Sequence, residues 1–195
     1  MTKNIILCGV GGQGTVLASR LISSAAMARD IPVLSAETIG MAQRGGSVFS
    51  HVRMSTDEVL YSPMIAKGEA DLIIAFEPGE AVRQLPFLKP DGRMVVSSRP
   101  VMPVTAALSD TGYRAETMLD YLSSRVSRLT VVDAEQALQD VGSPKVLNLI
   151  LLGAALQSGA LGLEEADLRD AIRRLIPEKY HELNLRALRW AAENK

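Results

Sequence analysis

Residues 4–14 read Asn4-Ile-Ile-Leu-Cys-Gly-Val-Gly-Gly-Gln-Gly14, a short apolar run that ends in a glycine turn and passes directly into a helical pattern. Gly9, Gly11 and Gly14 satisfy the spacing G-x-G-x-x-G, with Gly12 as an additional glycine. Glycine in such a turn supplies positive φ and close backbone approach. The first turn of the following helix then points unpaired N–H groups and a positive dipole end at whatever lies over the loop. An anion, most commonly a phosphate, is the natural occupant. Between a strand and a helix at the head of a βαβ pattern, the loop predicts a Rossmann-like α/β fold. The competing reading is a tight strand–helix turn whose glycines serve packing alone.

Outward from the loop, residues 4–8 form a strand whose unbroken apolar run predicts burial on both faces. Leu17, Leu21 and Ala25, with Ala18, Ile22 and Ala26, place one apolar stripe on a helix over 14–29. Ile31–Ser35 is the second strand. Ser47–Met54 alternates, with Val48, Val52 and Met54 on one face and His51 and Arg53 on the other. Further strands are predicted at 70–76, 93–97 and 129–133, and helices at 78–85 and 115–124. Ser143-Pro144 reads as an N-cap with proline at the first helical position, and Gly159 as a terminator. Two more helices carry Leu168, Ala171, Ile172, Leu175 and Ile176, then Leu183, Ala187, Trp190 and Ala191. The expected architecture is a mostly parallel sheet flanked by helices, with a helical C-terminal third, in one domain over 1–195.

Composition limits the function. The 195 residues are 47% hydrophobic but only 4% aromatic, which suits aliphatic helices packed on a parallel sheet. A net charge of −1 offers no basic field for nucleic acid or an anionic membrane. The longest apolar run, Leu149–Leu156, is too short to span a bilayer. No basic segment leads into a long apolar stretch, so a cytoplasmic location is expected. Cys8 is the single cysteine, so the chain has no internal disulfide, cluster ligation or thiolate zinc site of its own. His51 and His181 lack metal-ligand spacing, and no metal site is predicted.

Two segments are candidates for ligand contact. The first is the loop itself: Gly9, Gly11, Gly12, Gln13 and Gly14. For a dinucleotide site the accompanying acid lies at the end of the second strand, where Glu37 sits, but Thr38-Ile-Gly-Met41 follows instead of another βαβ unit. The second is Gln43-Arg44-Gly45-Gly46, whose glycines permit close approach and whose guanidinium offers a planar fork to phosphate or carboxylate. A solvated hairpin turn is the competing reading there. His51 has no nucleophile or carboxylate in a recognisable arrangement and reads as a half-exposed strand histidine. Cys8 reads as an inert core thiol. Lys145 and Asn148 are explained by capping or solvent exposure. Gly153 inside a helix costs about 1 kcal/mol relative to alanine, which points to compensating close packing against the sheet or another subunit. No nucleophile–base pair and no two-carboxylate site is apparent, so no catalytic residue is assigned.

Gly9–Gly14 together with Glu37, Gly40 and Met41-Ala-Gln-Arg-Gly-Gly46 resembles the gamma-type component of 2-oxoacid:ferredoxin oxidoreductases, and within it the small, beta subunit of the indolepyruvate enzymes. Ser47-Val-Phe-Ser-His-Val-Arg53, Tyr61-Ser-Pro-Met64, Ala70-Asp71 before a strand ending in Phe76-Glu77, and the Asn148…Leu152-Gly153 helix extend the resemblance over essentially the whole chain. Ile39 and Ala42 depart from the His-Gly-Met-Ser pattern of many indolepyruvate-type chains. The resemblance implies an accessory subunit of a thiamine-diphosphate enzyme that oxidatively decarboxylates a 2-oxo acid, indolepyruvate or another arylpyruvate, to an acyl-CoA and passes electrons to ferredoxin. This chain lacks a thiamine-diphosphate motif and has one cysteine. Thiamine diphosphate and the [4Fe–4S] clusters are therefore expected on a large alpha subunit, and no cofactor on this chain alone. The implied local role is to complete the assembly and its CoA surface. The rival is that both glycine segments serve the subunit interface, including self-association. From a different class, a stand-alone NAD(P)- or nucleotide-binding protein uses the same fold.

Overall fold

The computed structural model describes residues 1–37, 45–101 and 113–194. Among them, six strands form one mixed sheet in the order β2-β3-β1-β4-β5-β6. These are β1 (Thr2–Val10), β2 (Val33–Glu37), β3 (Ser47–Ser55), β4 (Ala70–Ala75), β5 (Leu88–Ser97) and β6 (Leu129–Val132). Helices α1 (Thr15–Ala28), α2 (Pro78–Gln84), α3 (Ala115–Arg125), α4 (Ala134–Val141), α5 (Leu147–Gln157), α6 (Glu165–Leu175) and α7 (His181–Glu193) flank it. The α/β architecture and its helical C-terminal part are as expected from the sequence.

β1 explains the two-layer cover. Its side chains alternate, so Ile5 and Leu7 enter one core while Ile6 and Cys8 enter the other. The larger core gathers α1 and α4–α7, through residues such as Leu21, Ile22, Leu138, Ile150, Leu168 and Leu188. The smaller one gathers Ala81 of α2 and Leu122 of α3. β1, β4, β5 and β6 pair in parallel, whereas β3 runs antiparallel to both β1 and β2. In a doubly wound dinucleotide fold the second strand lies directly beside the first. Here β3 intervenes, and β2 stands one extra strand spacing away, roughly 4.8 Å.

Three local expectations are corrected. Ser143-Pro144 does not open a helix: α5 starts at Leu147 with Val146 at the N-cap position, and the Ser143 hydroxyl accepts the Lys145 N–H at 3.3 Å in the preceding turn. Residues 134–141, not assigned from sequence, form α4, because Asp133 leaves the strand to cap it by accepting the Gln136 N–H. Gly153 answers a helix rather than the sheet or a subunit: a Cβ there would lie 2.0 Å from the Leu188 carbonyl oxygen, so α5 crosses α7 backbone to backbone. That crossing seats α5, buried on all sides, with its N-terminal end at the carboxyl edge of the sheet. Gly159 lies just beyond α5 with φ +72°, as a helix terminator requires.

Candidate functional site

β1 ends at Val10 and the chain turns through Gly11–Gly14 into α1, with Gly14 at the N-cap in the left-handed region and no side-chain cap on the helix. Gln13 fixes the turn. Its Oε1 accepts the Val10 N–H at 2.7 Å and its Nε2 donates to the Phe76 carbonyl at 3.0 Å, tying the loop to the end of β4. Gly9 is required by packing, since a Cβ there would lie 2.8 Å from Cβ of Phe76. Gly12 is different: its φ is +103° and nothing stands within 4 Å of the place a Cβ would occupy. That open space belongs to a cavity.

The cavity, about 570 Å³, is walled by Gly12–Gly14 and Leu17, by Arg99 just beyond β5, and by Lys145 and Asn148 at the entry to α5. It lies at the carboxyl ends of the strands, where open α/β sheets bind ligands. Among the described residues no acidic side chain lines it, and neither Arg99 nor Lys145 enters an ion pair. Two cations and an uncapped helix N-terminus thus face one volume. Each charge-assisted hydrogen bond to an anion there is worth about 1.5–3 kcal/mol. From sequence, Lys145 reads as a capping or solvent-exposed residue, and Arg99 is not a candidate. Arg99 is remote from the glycine turn, and its one signal is a basic residue just past a buried strand's carboxyl end. Asn148 is not solvent-exposed: it is 3% exposed and lies beneath Gly14, whose Cβ would approach its Nδ2 to 3.1 Å.

The other candidates divide. Gly45 and Gly46 come to the first loop: the Gly11 N–H donates to the Gly46 carbonyl at 2.8 Å, and the Gly45 N–H to the Gly11 carbonyl at 3.3 Å. This pairing occupies the Gly11 amide that a pyrophosphate would use in a dinucleotide fold. Gln43 and Arg44 lie outside the described residues. Glu37 is not brought to the glycine turn. Its Oε1 accepts the Ser19 hydroxyl at 2.7 Å, and it lines a separate cavity of about 720 Å³ between the later turns of α1 and α6, beside Arg20 and Arg174.

His51 is 1% exposed, which corrects the half-exposed expectation. The chain after β3 folds back over this face, and the Ile65 N–H donates to Nδ1 at 2.9 Å, while Phe49 and Phe87 pack against the ring. Burial lowers its pKa, so the ring is neutral with its proton on Nε2. Cys8 is fully buried, and burial, reinforced by Glu80 and Glu77, pushes its thiol well above the ordinary value. It is the inert thiol expected. Among the described residues no group of His, Cys, Asp and Glu side chains is arranged to hold a metal ion.

A Rossmann-like sheet interrupted by one antiparallel strand, with a basic cavity over its first glycine turn, defines the class of α/β domain. The sequence pattern of the pyruvate ferredoxin/flavodoxin oxidoreductase family matches residues 4–194, and the chain belongs to that family. It is 36% identical over 190 residues to the indolepyruvate oxidoreductase subunit IorB of Methanothermobacter thermautotrophicus, covering 97% of this chain and 95% of that one. It is 35% identical over 192 residues to the IorB subunit of Archaeoglobus fulgidus, covering 97% and 93%. The fold recurs in the gamma subunit of a keto/oxoacid ferredoxin oxidoreductase from Geobacter sulfurreducens, with a TM-score of 0.73, 22% identity, and coverage of 99% and 95%. It recurs again within a 2-oxoglutarate:ferredoxin oxidoreductase from Magnetococcus marinus solved with coenzyme A, with a TM-score of 0.72, 19% identity, and coverage of 100% of this chain and 32% of that one. The chain is accordingly a subunit of a 2-oxoacid:ferredoxin oxidoreductase.

Proposed function

We propose that this chain is the small subunit of an indolepyruvate- or arylpyruvate:ferredoxin oxidoreductase and that its basic cavity receives the phosphates of CoA. The observation that carries the substrate class is the end-to-end likeness to IorB subunits, at 36% identity over 190 residues. The local role rests on the cavity at the head of α1. CoA bears a pyrophosphate and a ribose phosphate, and Arg99, Lys145 and the first-turn N–H groups of α1 are the donors this chain offers them. When bound, CoA supplies the thiol that takes up the acyl group; this chain's part is to bind and orient it. Thiamine diphosphate, iron–sulfur clusters and the ferredoxin contact belong to a large partner, because one buried cysteine ligates no cluster. The expected location is the cytoplasm. Among the described residues no helix is long and apolar enough to cross a membrane.

A stand-alone dinucleotide-binding role loses its support in two places: the Gly11 amide is paired with Gly46, and Glu37 faces a different cavity. The test is reconstitution. Co-expressed with a large alpha-type subunit of this family, the chain is expected to co-purify and to complete CoA-dependent reduction of ferredoxin by indolepyruvate. Alone it is expected to be colourless and inactive. Turnover by the isolated chain, or full CoA-dependent activity of the large subunit without it, contradicts the proposal.

A further inference from the structure

The first turn of α2 holds two buried carboxylates that the cavity does not use. Glu77 is 3% exposed and Glu80 6%. Glu77 caps α2 by accepting the Glu80 N–H at 2.9 Å, and its other oxygen accepts the Tyr113 hydroxyl. Glu80 accepts the Ser47 hydroxyl at 2.5 Å through Oε2 and faces Arg83 Nε at 3.3 Å through Oε1. Ser47 follows Gly45 and Gly46, the pair hydrogen-bonded to Gly11. A short path therefore runs from Glu80 through Ser47 and Gly46 to Gly11, one residue before the cavity wall at Gly12. Helix capping explains Glu77. It does not explain Glu80, since burying a carboxylate costs free energy unless it is well paired. Burial raises its pKa, while Ser47 and Arg83 oppose that rise.

We propose that Glu80 is a positioning residue: its carboxylate holds Ser47, and through it Gly45–Gly46, so that the second glycine segment braces the first and sets the shape of the cavity wall. The functional consequence rests on the CoA reading; the brace itself does not. Glu80 touches no ligand and acts through Ser47. Tyr113 and Glu77 fix the helix turn from which Glu80 reaches β3.

The test uses Glu80→Ala, Ser47→Ala and Glu80→Gln in the assembled complex. Hydrogen exchange at the Gly11 amide is expected to quicken at least tenfold in both alanine variants, with β4 and β5 amides unchanged. Glu80→Gln, which still accepts from Ser47, is expected to restore slow exchange. The KM for CoA is expected to rise about five- to tenfold in the alanine variants at constant kcat, and to return in Glu80→Gln. Ser47 is exposed, so Ser47→Ala keeps the test valid if Glu80→Ala fails to fold. Unchanged Gly11 exchange in a folded Ser47→Ala variant overturns the proposal. If Arg99→Ala and Lys145→Ala leave the KM for CoA unaltered, the CoA reading is what fails, and Gly11 exchange alone decides the brace.

Discussion

Two cavities flank α1, and they differ in what they offer. The one at its N-terminus is walled by Arg99, Lys145 and the glycine turn, with no acid among the described residues. The one along its later turns carries Glu37 between Arg20 and Arg174. In a dinucleotide fold the phosphate and ribose ends form one continuous site, because the acid-bearing strand lies beside β1. Here β3 is inserted antiparallel between β1 and β2, and the two ends are separated. The glycine turn still opens α1 onto a basic cavity, but the acid after the second strand is no longer beside it. A shared sequence fingerprint therefore does not carry a shared ligand.

The largest loss of stability expected from breaking this arrangement lies away from both cavities. Gly153→Ala forces a methyl against the Leu188 carbonyl and pushes α5, with Lys145 and Asn148, off its seat. Overpacking against backbone costs about 3 kcal/mol, so Tm is expected to fall by roughly 6–12 °C. An unchanged Tm by calorimetry contradicts the close crossing. Gly12→Val is expected to be milder for stability and harsher for binding, because the new side chain enters open cavity from a left-handed backbone position. CoA affinity is expected to drop about tenfold or more, or ~1.4 kcal/mol. Titration calorimetry of the complex measures it.

What could be read in the chain, and what could not, follows the same division. β1, the glycine turn and α1 were legible because strand period, turn chemistry and helical stripe agree within 25 residues, from Asn4 to Ala28. α4 was not, although Ala134, Ala137, Leu138 and Val141 form a complete i, i+3, i+4, i+7 stripe, because its eight residues make barely two turns and Asp133 reads equally well as a strand end or a cap. Arg99 and Lys145 stayed invisible as site residues because the sheet order, not sequence spacing, brings them to Gly12. Glu37 was noticed for its place after the second strand, but its separation from the turn depends on β3 pairing between β1 and β2. His51 is buried under Phe49 and Phe87, and a distant backbone amide, that of Ile65, supplies the partner of its Nδ1.

That histidine gives a pH-dependent prediction. Its pKa is lowered in the folded state, so below the unfolded value of about 6.5 the unfolded chain binds a proton that the folded chain resists. Stability is therefore expected to fall as pH drops from 7.5 to 5.5. His51→Phe is expected to flatten that slope whatever its absolute Tm, and thermal melts at the two pH values check it. An equally steep slope in the variant removes His51 as the cause. The smallest effect is expected at the second cavity. Glu37→Gln keeps an acceptor for Ser19 and is expected to leave CoA affinity within about twofold of the parent, well under 1 kcal/mol. A tenfold loss there would restore a continuous dinucleotide-like site.

Binding of the CoA phosphates in the cavity at the head of α1 sets the KM for CoA of the Arg99→Ala, Lys145→Ala double variant in the reconstituted complex. Loss of each charge-assisted contact costs about 1.5–3 kcal/mol, roughly 10- to 150-fold, so loss of both is predicted to raise the KM by about 150-fold or more, with assembly intact and kcat near the parent value. A double variant that assembles normally and shows an unchanged KM for CoA contradicts the claim.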